Sequence, residues 1–139
     1  MNAKPMLVAA ASALVVAGCA TGGFHPTGMH QICRGHGLCE IPVTVNACGI
    51  AVPDTIDLYD GAKEIHWDIQ TPGYSFPENG IVIKEDPGGS VSQLQRLSAT
   101  KFKLHDDNVP QPKPISYGIN VLNGSMACPQ RDPWIVNHG

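Results

Sequence analysis

The chain has 139 residues and a formal net charge of −3, with nine Lys and Arg against twelve Asp and Glu, so it offers no basic stripe to neutralise phosphates and a nucleic-acid partner is not expected. Fifteen Gly and twelve Pro beside only 6% aromatic residues suit short strands joined by tight turns better than a helix bundle. Without a leader the length fits one domain.

Lys4 precedes an apolar stretch from about Pro5 to Ala17 that ends in small residues, which is the shape of a secretory signal. The stretch has roughly a dozen apolar residues where a spanning helix needs about 20, and no later segment is apolar enough to span. It closes on Val16-Ala17-Gly18-Cys19, which resembles the lipobox of bacterial lipoproteins: an aliphatic residue, a spacer, Gly or Ala, then Cys. The resemblance covers the first two dozen residues. It implies that residues 1–18 are removed and that Cys19 receives a diacylglycerol and becomes the new N-terminus. Ala20, rather than Asp, follows Cys19, which by the enterobacterial sorting rule implies the outer membrane, on its periplasmic face. Each buried methylene contributes about 0.8 kcal/mol, so two or three acyl chains hold a small domain at a bilayer. The Gly, Thr, Pro and His-rich stretch from Ala20 to about Gln31 has no apolar period and reads as a flexible tether. The expected division is therefore a signal over 1–18, a lipidated Cys and tether over 19–32, and a folded domain over 33–139.

Beyond Cys19 there are four cysteines, Cys33, Cys39, Cys48 and Cys128, and an even number in an oxidising compartment favours disulfides. Three pairings are open to the sequence. Cys33 with Cys39 and Cys48 with Cys128 is preferred, because the first closes a short Gly-containing loop and the second joins the start of the domain to its end. In the chain-entropy picture these contribute about 2.5 and about 4.5 kcal/mol.

From Cys39 to Cys48 the chain alternates, with Cys39, Ile41, Val43, Val45 and Ala47 on one face, the period of a half-buried strand. Pro42 lacks a ladder donor and marks a sheet edge or a bulge. Thr55 to Tyr59 and Ala62 to Gln70 flank Asp60-Gly61, which predicts a hairpin; Ile65, Trp67 and Ile69 form the inward face of the second run. Asn79-Gly80 separates Tyr74–Phe76 from Ile81–Lys84 in the same way, and Asn123-Gly124 follows a run in which Ile115, Tyr117, Ile119 and Val121 share a face. Ser90 to Leu97 lacks period two and could hold one helical turn. Lys101 to His105 turns Phe102 and Leu104 inward, Val109 to Pro114 reads as an extended connector, and Trp134 to Val136 offers a last strand. About seven strands in roughly 100 residues predict an all-β fold, a single antiparallel β-sandwich.

The frame Cys48-Gly49-Ile50, Pro53-Asp54-Thr55, Ile65-His66-Trp67, Tyr74 to Ile83, Phe102 near Asp106, Tyr117-Gly118-Ile119-Asn120-Val121 and Asp132-Pro133 resembles small bacterial secreted domains of cupredoxin-like or immunoglobulin-like type. The resemblance spans about Cys39 to Asn137 and implies a fold rather than a function.

His30, Cys33, His36 and Cys39 place one potential ligand at every third residue, with His25 and Met29 nearby, and sulfur with imidazole suits zinc or copper(I). A disulfide with incidental histidines is the leading reading of the same residues. A blue-copper site needs two His, one Cys and a weak axial ligand, yet Met126 precedes Cys128 and His138 comes only at the end. His66 and His105 fall on polar faces and read as solvated. There is no nucleophile elbow, phosphate-cradling loop or His-Glu-x-x-His helix. Gly88-Gly89-Ser90 reads as an ordinary loop, the pairs Glu85-Asp86 and Asp106-Asp107 read as solvated turn charges, and Trp67 and Trp134 read as core. No cofactor and no catalytic residue is expected. The expectation is a lipid-anchored, non-enzymatic binding or structural module with the membrane, and an envelope protein, as partners; a periplasmic metal-binding protein is the alternative.

Overall fold

The computed structural model describes residues 28–139; the signal segment, Cys19 and the first part of the expected tether lie outside the described residues. In chain order the strands are β1 (His30–Cys33), β2 (Gly37–Asn46), β3 (Gly49–Ala51), β4 (Thr55–Leu58), β5 (Lys63–Ile69), β6 (Tyr74–Ser75) and β7 (Ile81–Glu85). They continue as β8 (Val91–Ser98), β9 (Lys101–Asp106), β10 (Ile115–Ile119), β11 (Leu122–Asn123), β12 (Met126–Ala127) and β13 (Trp134–Asn137). One sheet has the order β1-β4-β13-β10-β7, the second β3-β2-β5-β9-β8, and a small third sheet β12-β11-β6. The fold is an all-β sandwich, and its sheets are mixed: β1 with β4, β13 with β4, and β2 with β5 run parallel.

The alternating pattern of β2 is realised, with Cys39, Ile41, Val43 and Val45 buried. Ala47 departs from it: it is exposed, because Ala47 and Cys48 (φ 47° and 64°) form the two-residue turn into β3. Two successive positive φ values are what a tight antiparallel reversal requires, here without glycine at either position. Pro42 sits where β2 has β5 on one side and no neighbour on the other. Val43 O accepts the Gln70 amide at 2.8 Å, so Val43 turns its backbone toward β5, and Pro42, one residue earlier, turns its nitrogen to the open edge, where no ladder bond is lost.

Asp60-Gly61 is not a hairpin. Both residues have positive φ (63° and 85°), so the turn forms as its sequence suggests, but β4 and β5 belong to opposite sheets. The turn carries the chain across the sandwich. Lys63, 1% exposed, stabilises this crossing: its ammonium donates to Tyr59 O at 2.6 Å, Asp60 O at 3.2 Å and Gly61 O at 2.9 Å. Asn79-Gly80 also lies on a change of sheet, between β6 and β7. Gly80 is needed there for space, since a Cβ would come within 2.7 Å of the rings of both Phe76 and Phe102. The reversal expected at Asn123-Gly124 forms one residue later: Asn123 pairs with Met126, and Gly124 and Ser125 make the turn that joins β11 to β12.

Ser90 to Leu97 lies largely in a strand, β8, rather than a helical turn. Its period is broken by register shifts between Ser92 and Gln95 and between Arg96 and Ser98, which leave Leu94 and Leu97 exposed. Residues 30–32, assigned to the tether from sequence, belong to β1 and pair with β4. Trp134 is half-buried rather than core; its neighbour Ile135 takes the inward position at 0% exposure.

The two large sheets meet through Trp67 and Tyr117, both 0% exposed, with ring centroids 5.3 Å apart and the indole N–H donating to the phenol oxygen at 3.3 Å. Burial pushes the Tyr117 phenol above its ordinary pKa, with the Trp67 hydrogen bond opposing. Phe76 and Phe102 pack edge to face at 5.2 Å. Replacing Lys63 with Met removes the donor from three carbonyls and should lower stability by about 3 kcal/mol, seen as a reduced urea midpoint with an unchanged slope.

Candidate functional site

Cys33 and Cys39 are joined as a disulfide with Cα atoms 5.7 Å apart, and Cys48 is joined to Cys128, a separation of 80 residues. This is the preferred pairing. The first bond ties the end of β1, in one sheet, to β2 in the other; the second ties the β2–β3 turn to the end of β12. The sulfurs of the His30, Cys33, His36, Cys39 set are thus bonded to each other and are not thiolate ligands. His30 turns instead to Asp57, and His36 lies exposed between β1 and β2. The described residues contain no group of three or more His, Cys, Asp or Glu placed to hold a metal ion.

The most organised polar cluster is one that spacing could not reveal. In β4, Ile56 and Leu58 join the core, so Thr55 and Asp57 face the other side of the sheet. Asp57 is 8% exposed. Its Oδ2 lies 2.6 Å from His30 Nδ1 and its Oδ1 2.9 Å from His138 Nε2, so the carboxylate on β4 accepts one N–H from β1 and one from the residue that follows β13. Beside it the Tyr59 ring stacks on His138 at 4.1 Å with 2° between planes, and the Arg34 guanidinium lies 4.2 Å over Tyr59. The cluster joins residues 27 and 81 positions apart. It fastens β1, β4 and β13 to one another; no nucleophile and base are juxtaposed in it.

The outer face of the second sheet is a lattice of paired polar and charged side chains. Across β2, β5 and β9 the register aligns Glu40, His66 and Lys103 in one row and Pro42, Asp68 and Lys101 in the next. His66 Nε2 lies 2.9 Å from Glu64, Lys103 3.7 Å from Glu64, Lys101 3.7 Å from Asp68, and His105 2.9 Å from Asp107. The His66 hydrogen bond, against partial burial and with help from Lys103, holds the Glu64 carboxyl below its usual range. Two shallow depressions meet at His66, one of about 320 Å³ beside Glu40 and Asp68 and one of about 440 Å³ beside Leu38 and His105. Exposed pairs of this kind contribute about 0–1 kcal/mol each. They make a solvated face.

Asp106 departs from the expected solvated charge. It is 0% exposed, and its Oδ1 accepts Ser90 Oγ at 2.6 Å, Asn108 N at 2.8 Å and Asn137 Nδ2 at 2.9 Å. Asp107 alone keeps the solvated role. Asp86 closes the loop containing Gly88-Gly89-Ser90: its carboxylate accepts from Ser90 N at 3.1 Å, Val91 N at 3.0 Å and Gln111 Nε2 at 3.0 Å. Burial pushes the Asp86 carboxyl upward, but the Val91 and Ser90 amides, the Gln111 amide and the Gly89 N–H outweigh it and hold it below its usual range.

No known protein family matches the chain, and no curated protein matches it.

A carboxyl depressed by folding contributes stability that is present above its unfolded pKa, about 3.9, and is lost as pH falls through the lower folded value. Asp86→Asn should therefore flatten the fall in urea stability between about pH 5 and pH 2 relative to the parent chain. Cys48→Ala, which opens the long closure, should cost about 4 kcal/mol, measured as a fall in thermal midpoint under oxidising conditions.

Proposed function

We propose that the protein is a lipoprotein of the bacterial envelope, held at the periplasmic face of the outer membrane through an acylated Cys19, and that its sandwich acts as a non-enzymatic binding or structural module. The observation that carries this reading is the run Val16-Ala17-Gly18-Cys19 behind a short apolar stretch and Lys4. Three features of the folded part agree with it. Both cysteine pairs are closed as disulfides, which suits an oxidising compartment. The described residues hold no helix long and apolar enough to cross a membrane. His66, His105, Lys101 and Lys103 on the outer face each lie against a carboxylate, and His138 against the buried Asp57, so these side chains serve as cross-links within the sandwich.

Cys19→Ser should move the protein from the membrane fraction to the soluble periplasm with its fold intact, and should abolish incorporation of radiolabelled palmitate. Retention of the variant in the membrane after signal removal would refute the anchor.

A further inference from the structure

The chain passes from residues 1–27 into the sandwich at Gly28, next to Asp54. Asp54 Oδ2 accepts the Met29 N–H at 2.8 Å, Met29 O accepts the amides of Asp54 and Thr55 at 2.8 and 3.3 Å, and Arg131 Nη2 holds Asp54 Oδ1 at 2.8 Å. Gly28, at φ +127°, packs so closely on the Asp54 carboxylate that a Cβ has no room. From there β1 runs parallel to β4, in register from His30 with Thr55 to Cys33 with Leu58, and ends where Tyr59 N donates to Cys33 O at 3.0 Å. The His30–Asp57 contact lies along the same stretch. On the other side of β4, β13 runs in the same direction.

We propose that β1 and its Asp54 clasp form a tension latch, through which the folded domain withstands pulling on the segment that precedes it. A pull at Gly28 directed away from the domain runs along β1. In a parallel pair the ladder bonds then share the load in shear and break together, instead of peeling one at a time. Should β1 slide free, the Cys33–Cys39 disulfide stops the extraction after at most about 20 Å of chain. The source of tension rests on the anchoring reading; the mechanics of the latch do not.

The test is constant-force pulling of the full chain carrying Cys19→Ser, secreted so that its disulfides form. Handles are placed at the mature N-terminus and the C-terminus, or at Ala99→Cys and the C-terminus, the second path leaving β1 unloaded. Asp54→Asn keeps the shape of the side chain but weakens two charge-assisted bonds, and should shorten the lifetime under load about tenfold in the first geometry and less than twofold in the second. An unchanged lifetime in the first geometry, or equal shortening in both, would overturn the latch. Membrane retention of the Cys19→Ser chain would overturn the anchor and leave the latch standing.

Discussion

Strand β4 is paired on both edges to parallel strands, β1 on one side and β13 on the other, and this constraint organises the rest of the molecule. Parallel neighbours cannot be joined by a tight turn, so the chain must leave the sheet after each of them and return by a longer route. After β1 it crosses to β2, after β4 to β5, and both crossings are fastened where they occur, by Cys33–Cys39 in one case and by the Lys63 ammonium in the other. The same arrangement brings His30 and His138 to opposite oxygens of Asp57. A buried carboxylate unpaired in a sheet would be costly; here it becomes the point where the early and late parts of the folded chain are held together.

Three buried charged side chains follow one rule. Lys63, Asp57 and Asp106 are each buried, and each is surrounded by hydrogen-bond partners contributed by turns and strand ends rather than by a direct ion pair between two long side chains. Asp106 gathers Ser90, Asn108 and Asn137 from three segments. Removing one member of such a group strands its partners and is costly, and every one of them specifies which loop meets which strand. The apolar core, centred on Trp67 and Tyr117, supplies most of the driving force.

What the sequence revealed was local, and what it hid was long-range. Period two in Cys39 to Val45 and in Ile115 to Val121 identified inward faces correctly because burial on one face is written directly into alternation. The turn at Asp60-Gly61 was legible as a turn, with its positive φ values, but not as a crossing, since a dipeptide states how the backbone bends and not which strand lies beside it. Period two vanished from Ser90 to Leu97 because two bulges reset the alternation, so a strand looked like something else. Asp106 and the Asp57 cluster were invisible for a further reason: apart from Asn108, their partners lie 16 to 81 residues away and are Ser, Asn and His, residue types common in loops.

Each long outer strand also carries a defect in its regular geometry. β2 has Pro42 facing its open side, β7 slips register by one residue at Lys84, where that side chain reaches Asp132, and β8 is bulged twice. Irregular edges make poor templates for another chain. For a protein confined to a membrane plane, as we propose, neighbours are copies of itself at far higher local density than in free solution, all presenting the same borders. Interrupted borders let such a population stay dispersed, so that crowding along the bilayer does not turn a layer of separate domains into a continuous sheet.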